Sequence, residues 1–374
     1  MKILDSKKTP IFPNKFYAIL MTGKNKSLIF LLLPLILVIS CDKNGIDPNG
    51  GGTIPPPQQI VDVSIVKFVF QSGNLYSGDK SISRLEFKNT GNIRWKFWIG
   101  YSLQDKSGTW YDVPADTLTL NPGEVSRQLE LSWTIPGNNQ VVSGPYTVRT
   151  AIWKTNPSVT GAVQLGFFEQ KDAFNAFNFI DDFNGFDANR WIISNKLTPG
   201  FGRFDTQNIS LKDGLLSIKF PMQTKDGGEV KTTAPAKYKY GTYRASIKTP
   251  SQLPGTYTTF FLYESTNLDE IDIEIWNDGS GKLDLNTWVK GVQKFSSQII
   301  LAFDPSSQFH EYRIDYYPNE VSFWVDNVKM KYTTDLSQIP TSLTNIYISG
   351  WWPKWMSGNV SGTDKFAVYD WIQH

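Results

Sequence analysis

From Ile60 onward, apolar residues recur at every second position in short runs, not at every third or fourth. VDVSIVKFVF, ISRLEFKN, RWKFWIGYSL, SRQLELSW and YTVRTAIW follow one another to about Gln170. The turn-forming SGD, NTGN, NPGE and SGP separate them at roughly ten-residue spacing. Short alternating segments of this kind predict half-buried antiparallel strands, and residues 60–170 are long enough for one immunoglobulin-like β-sandwich. A second set begins near Phe179: GLLSIKF, YGTYRASIK, YTTFFLY, EIDIEIW, LDLNTWV, EYRIDYY, VSFWVDN, NIYISGW and KFAVYDW. No stretch carries a 3.6-residue period over a helical length. Residues 179–374 therefore predict a large all-β sandwich or jelly roll. Between the two sets KDAFNAFN, 171–178, reads as a short connector.

The N-terminus follows a different pattern. Residues 28–39, LIFLLLPLILVI, form 12 consecutive apolar positions after Lys24 and Lys26. A membrane span needs about 20 residues, whereas a positive flank and a run this short fit a secretory signal. The run ends in Val38-Ile39-Ser40-Cys41, which resembles the bacterial lipobox, where the cysteine is lipidated and becomes the mature N-terminus. Residues 1–40 are then a lipoprotein signal peptide and Cys41 the lipidation site. Met21 offers a second possible start. Residues 42–59 hold four Gly and four Pro in 18 positions, so 41–59 reads as a lipidated, flexible tether. The expectation is an exported, membrane-anchored protein on the outer membrane or cell surface.

Composition narrows the chemistry. Lys plus Arg total 37 against 35 Asp plus Glu, a net charge of +2, so no basic face recommends a nucleic-acid partner. A monomer is expected. The single Cys excludes intramolecular disulfides and any multi-cysteine metal site. Two His, His310 and His374, leave little material for a Ser-His-Asp triad or a His-based zinc site. Acid–base chemistry falls to carboxylates. The aromatic excess in the first sandwich (Trp95, Phe97, Trp98, Tyr101, Trp110, Trp133, Trp153) is either packing, the preferred reading, or a sugar-binding face.

Among the acids, Asp269-Glu270-Ile271-Asp272-Ile273-Glu274-Ile275-Trp276 stands apart. On a strand, Glu270, Asp272 and Glu274 share one face while the three isoleucines enter the core. Three like charges in a row repel one another. Four residues of strand span about 13 Å. Two glutamates leaning together would bring their carboxyls to roughly 5 to 6 Å, a working distance for a carboxylate pair at a glycosidic bond. From the pattern alone, a solvated acidic face or a cation site on an edge strand remains as good a reading.

DEIDIEIW, followed by LDLNTWVKG, FHEYRIDYYP and VSFWVDN, resembles glycoside hydrolase family 16, most closely its bacterial licheninases with their E-[IL]-D-[IV]-E signature. The likeness runs from about Asp182 to Asp370. It implies a concanavalin-like β-jelly-roll in which Glu270 is the nucleophile, Asp272 its assistant, and Glu274 the general acid and then base of a retaining double displacement. It places Glu229, Lys231, Phe261, Tyr263, Asn286, Trp288 and Trp351 on substrate-binding positions. Lys231 stands where the family has Arg, losing the planar fork. Ser349 replaces a usual Asn and Leu268 a usual Trp, departures that bear on linkage specificity. Asp370 matches an aspartate that holds a structural Ca²⁺ in the family; a salt-bridged strand residue is the alternative. No cofactor is implied for catalysis. His310 falls on a packing position, and terminal His374 is given no role. The implied substrate is a β-linked polysaccharide, foremost a 1,3-1,4- or 1,3-β-glucan. A transglycosylase, a glycan-binding protein without turnover and a galactan hydrolase are the alternatives.

Overall fold

The computed structural model describes residues 2–3, 56–137, 140–233 and 238–374. Cys41, the apolar run before it and most of the tether lie outside them. The alternating runs become strands throughout, and among the described residues the helical content is two three-residue 3-10 turns. In the N-terminal sandwich, Val63–Phe70, Lys80–Asn89 and Leu129–Thr134 form one sheet. The facing sheet is ordered Trp110–Leu120, Trp95–Asp105, Gly144–Trp153, Gln164–Phe177, Asn74–Tyr76, with Lys2–Ile3 on its outer edge.

Strand parity divides the seven aromatics. Phe97, Tyr101 and Trp133 are buried in the core, so they cannot offer a sugar-binding face. Trp95 donates Nε1–H to the Lys154 carbonyl at 2.8 Å and packs against the cluster that holds Phe97. Trp98 and Trp153 oppose each other across two strands and remain half-buried.

The expected connector is a correction. Residues 171–177 continue the strand Gln164–Phe177, which pairs with Gly144–Trp153 on one side and Asn74–Tyr76 on the other. Its Lys and Asp point outward while Ala173, Phe174, Ala176 and Phe177 are buried, so the segment looks polar yet belongs to the core. The two sandwiches then meet without slack. Thr242 N–H and Tyr317 Oη both donate to the Ser143 carbonyl, at 2.8 and 3.1 Å. At Gly144, with φ +129°, an added Cβ would fall 2.2 Å from Tyr317 Oη. Only glycine permits that approach.

The C-terminal unit is an all-β jelly-roll sandwich. Its back sheet runs Ile209–Lys212, Leu215–Phe220, Lys365–Gln373, Gly241–Lys248, His310–Tyr317, Glu320–Val325, Val328–Thr333. The other sheet carries the site, and its strands are β1 (Trp191–Ile193), β2 (Gly228–Thr232), β3 (Tyr257–Glu264), β4 (Asp269–Trp276), β5 (Lys282–Val289), β6 (Val292–Ile300) and β7 (Asn345–Trp351). Across the sheet they lie in the order β1-β2-β7-β3-β4-β5-β6. Ile271, Ile273 and Ile275 join Phe260, Leu262, Leu283, Leu285, Ile346 and Ile348 in one core with Ala245, Ile314, Phe323 and Tyr369 of the back sheet. Each fully buried aliphatic of this size contributes roughly 1.5–3 kcal/mol. A one-residue slip of β4 would forfeit three isoleucines and bury three carboxylates instead.

His374 also needs correction. It is buried and stacks on Tyr243 with centroids 3.9 Å apart. Burial pushes its imidazole down to about 3, so this terminal residue is a neutral core side chain. His310 is buried beneath Phe303 (3.7 Å) and bonds Asp326 through Nδ1 at 2.7 Å, the packing role expected of it.

Candidate active site

The pairing registers set the side chains on the face of the site sheet away from the core in three rows. The first crosses Glu229, Ser349, Thr259, Glu274, Asp284 and Gln298. The second crosses Lys231, Tyr347, Phe261, Asp272, Asn286 and Ser296. The third crosses Asn345, Tyr263, Glu270, Trp288 and Gln293. Each row is fixed by backbone hydrogen bonds, and all of its side chains leave the same face. Glu229, Phe261, Glu270, Asp272, Glu274 and Trp351 come together as the lining of one pocket, completed by Pro199, Phe204, Thr259 and Ser349.

The triplet sits in a setting that favours protons. Among the described residues no Lys, Arg or His comes within ion-pair distance of Glu270, Asp272 or Glu274. Burial raises Glu270 well above the ordinary glutamate range, and the charges of Asp272 and Glu229 add to that. Burial likewise raises Glu274, followed by Asp272, Glu270 and Asp284. Asp272 is pushed up to about 7 by burial, against which hydrogen bonds from Asn286 and Trp288 pull it down. Three neighbouring carboxyls that raise one another titrate as a set. One ionised and one protonated carboxyl is the pair that nucleophilic attack with acid assistance requires.

The implied sugar-binding residues divide. Phe261 and Trp351 line the pocket, and Phe261 stacks on Tyr347 at 4.8 Å. Tyr263 stands directly opposite Glu270 and meets Tyr347 edge to face at 5.8 Å. Glu229 is buried, raised by that burial, and accepts a 2.6 Å hydrogen bond from Ser194 Oγ. Lys231 sets Nζ over the Tyr347 ring at 5.3 Å.

Asn286 has a structural role beside the one implied for it. It is buried, donates Nδ2–H to Asp272 at 2.7 Å and accepts from Gln293 Nε2 at 3.0 Å. One Nδ2–H and one lone pair of its amide are engaged, so it orients Asp272 while its second N–H is left for a further partner. Trp288 adds a second side-chain hydrogen bond to Asp272.

Asp370 lies on the back sheet, remote from these rows, where its Oδ2 accepts from Ser246 Oγ at 3.5 Å. Among the described residues no three His, Cys, Asp or Glu side chains gather as a metal site. A Ca²⁺ at Asp370 would take one carboxylate there and need its remaining oxygens from backbone and water. The donor set is thin, and nothing in the chemistry below depends on it.

Residues not anticipated from the sequence complete the floor. Ser194 holds Glu229. Asp284 accepts from Tyr257 Oη and Trp276 Nε1, both at 2.7 Å. Asp284 is two residues before Asn286, so strand alternation was the signal that could have found it, whereas its partners follow only from register.

Comparison with known proteins agrees in extent with these rows. The family model for Glycosyl hydrolases family 16 matches residues 202–373. A beta-glucanase of Paenibacillus macerans is 32% identical over 177 residues, 45% of this chain and 72% of that protein. A beta-glucanase of Paenibacillus polymyxa is 29% identical over 230 residues, 58% of this chain and 94% of that protein. Among solved structures, a prokaryotic beta-1,3-1,4-glucanase (lichenase) from a mouse hindgut metagenome is 28% identical, with a TM-score of 0.47. That match covers 52% of this chain and 97% of the other.

Proposed function

This chain belongs to glycosyl hydrolase family 16, and from that membership we propose a retaining endo-β-glucanase acting on a 1,3-1,4- or 1,3-linked β-glucan. The observation that carries the reading is the row of Glu270, Asp272 and Glu274 on β4, backed by a core of isoleucines and free of cationic partners. Glu270 attacks the anomeric carbon as the bond to the leaving oxygen breaks, and Glu274 gives that oxygen its proton. The resulting glycosyl ester is opened by water, whose proton returns to Glu274 while Glu270 leaves as carboxylate. Two inversions retain configuration. Asp272, oriented by Asn286 and Trp288, carries the proton that keeps the three carboxyls from repelling one another.

Two features support a neutral glucan. The relatives above are beta-glucanases. The pocket is lined by four acids, Glu229, Glu270, Asp272 and Glu274, and by no Lys, Arg or His among the described residues, so it offers no cation to a sulfated or uronic chain. The aromatic rings of Phe261, Tyr263 and Trp351 offer apolar faces to pyranose rings.

The test is a panel of barley glucan, lichenan, laminarin, xyloglucan, agarose and carrageenan with linkage analysis of the products. Glu270→Ala is expected to lose about 10⁴-fold or more in activity with an unchanged circular dichroism spectrum. Azide is expected to restore turnover as a glycosyl azide of inverted configuration. Wild-type rates in Glu270→Ala would sink the assignment, and cleavage confined to the galactans would overturn the substrate.

We also read the chain as a surface lipoprotein, with an immunoglobulin-like sandwich between the lipid and the active unit. The support is the lipobox-like sequence ending at Cys41 and the three-plus-five strand arrangement of residues 63–177. Cys41→Ser is expected to move the protein from the membrane to the soluble fraction; continued membrane association would reject the anchor.

A further inference from the structure

Asp284 has no part in the double displacement, yet it occupies the position beside Glu274. The two oppose each other directly across β4 and β5, which sets their Cβ atoms about 5 Å apart on one face. Three neutral donors fill its carboxylate: Tyr257 Oη at 2.7 Å and Trp276 Nε1 at 2.7 Å on Oδ2, and Gln298 Nε2 at 2.8 Å on Oδ1. Tyr257 and Trp276 meet edge to face with centroids 5.8 Å apart, and Tyr257 lies 6.4 Å from Trp351. One carboxylate thus ties together the rings that wall the Glu274 end of the cleft. Lys282, the basic residue two positions along β5, stands over the Trp276 ring at 4.7 Å and makes no ion pair with Asp284.

We propose that Asp284 is a positioning residue for the acid/base step: it fixes the Tyr257–Trp276 wall and sets a negative charge beside Glu274 that favours its protonated form. The proposal rests on the reading of Glu274 as acid/base. The titratable groups facing Glu274 are Asp272 and Glu270 on its own strand, Asp284 on β5, Tyr257 on β3, and Glu229 at the far end of its row on β2. Its direct neighbours Thr259 and, beyond it, Ser349 are neutral. Among the described residues the charges acting on Glu274 are acidic, and the cation nearest along β5, Lys282, stands over the Trp276 ring. Burial raises the proton affinity of Glu274 most, and Asp284 acts in the same direction as Asp272 and Glu270. The acid form is lost only as pH rises through that raised value, so removing the Asp284 charge moves the loss to lower pH.

The experiment compares full-length wild type with Asp284→Asn, which keeps shape and an acceptor but removes the charge. Profiles of kcat/KM against pH are taken on barley glucan and on a 2,4-dinitrophenyl β-glycoside of a gluco-oligosaccharide, whose leaving group needs little proton. The basic limb on glucan is expected to move to lower pH. On that limb, glucan hydrolysis should fall about tenfold while the dinitrophenyl substrate loses less than about twofold. Tyr257→Phe, which removes a donor but no charge, should leave the limb in place. A limb unmoved in Asp284→Asn, or equal losses on both substrates at every pH, would overturn the proposal. Should Asp284→Asn not fold, Asp284→Gln is read in the same way. Glu274→Ala separates the two levels. If it hydrolyses glucan like wild type, the acid/base reading fails. If it loses glucan but keeps the dinitrophenyl substrate while Asp284→Asn retains the wild-type limb, only the role of Asp284 fails.

Discussion

On the back sheet Arg244 grips Glu311 with Nε at 3.0 Å and reaches Gln373 at 2.8 Å, while Arg313 donates to both oxygens of Asp315 at 2.7 and 2.5 Å. On the site sheet Glu270, Asp272, Glu274 and Asp284 have no such partner among the described residues, and Asp284 is held by neutral donors alone. The two sheets share one core. Burial acts on both faces, but a guanidinium fork faces the carboxylates on one and only neutral hydrogen-bond donors face them on the other. A buried pair becomes costly when one partner is removed, and buried carboxylates left without a cation have their proton affinity raised at a cost in stability. The back sheet is built to hold, and the site sheet to hold protons at a pH where carboxyls ordinarily release them.

That contrast is open to direct attack. The larger effect is expected from Arg313→Ala, which leaves the carboxylate of Asp315, 0% exposed, with only Thr242 Oγ1 at 2.7 Å and Lys106 at 3.8 Å. Stripping a buried charge of its main partner costs about 3 kcal/mol. Urea unfolding should show that loss while kcat/KM of the folded enzyme is unchanged. An unaltered midpoint would mean the back-sheet pairs contribute nothing.

A smaller effect of opposite sign is expected on the site sheet. Glu270 is raised in the folded protein, so above the ordinary glutamate range the native state binds more protons than the unfolded chain, and wild-type stability falls as pH rises. Glu270→Gln has no such loss. It should raise Tm by roughly 2–5 °C at pH 8, and the gain should vanish near pH 4, where the wild-type carboxyl is protonated folded or unfolded. Equal Tm differences at both pH values would show that charge burial is not what the site costs.

The legible part of the site was the part written along one strand. Glu270, Asp272 and Glu274 announce their shared face through the isoleucines between them, since a period of two needs no knowledge of neighbours. The cross-strand part was not legible. Asn286 sat on the expected face, but its bonds to Asp272 and Gln293 reach two other strands. Tyr257, Trp276 and Asp284 come from three strands and 28 residues of chain, and nothing local says that they meet. The strand over 171–177 was missed because its outward Lys and Asp masked an inward row of Ala and Phe. His374 was set aside as a terminus, although the last residue of the chain stacks against Tyr243 inside the core.

By itself the sequence determined the all-β class, the membership-bearing triplet and the face from which it projects, because alternation of apolar and polar residues is a local property enforced by burial. Tertiary structure decided which side chains stand beside the triplet. Register is set by backbone pairing between segments far apart in the chain, and proton affinity is set by whatever that pairing brings within a few ångströms.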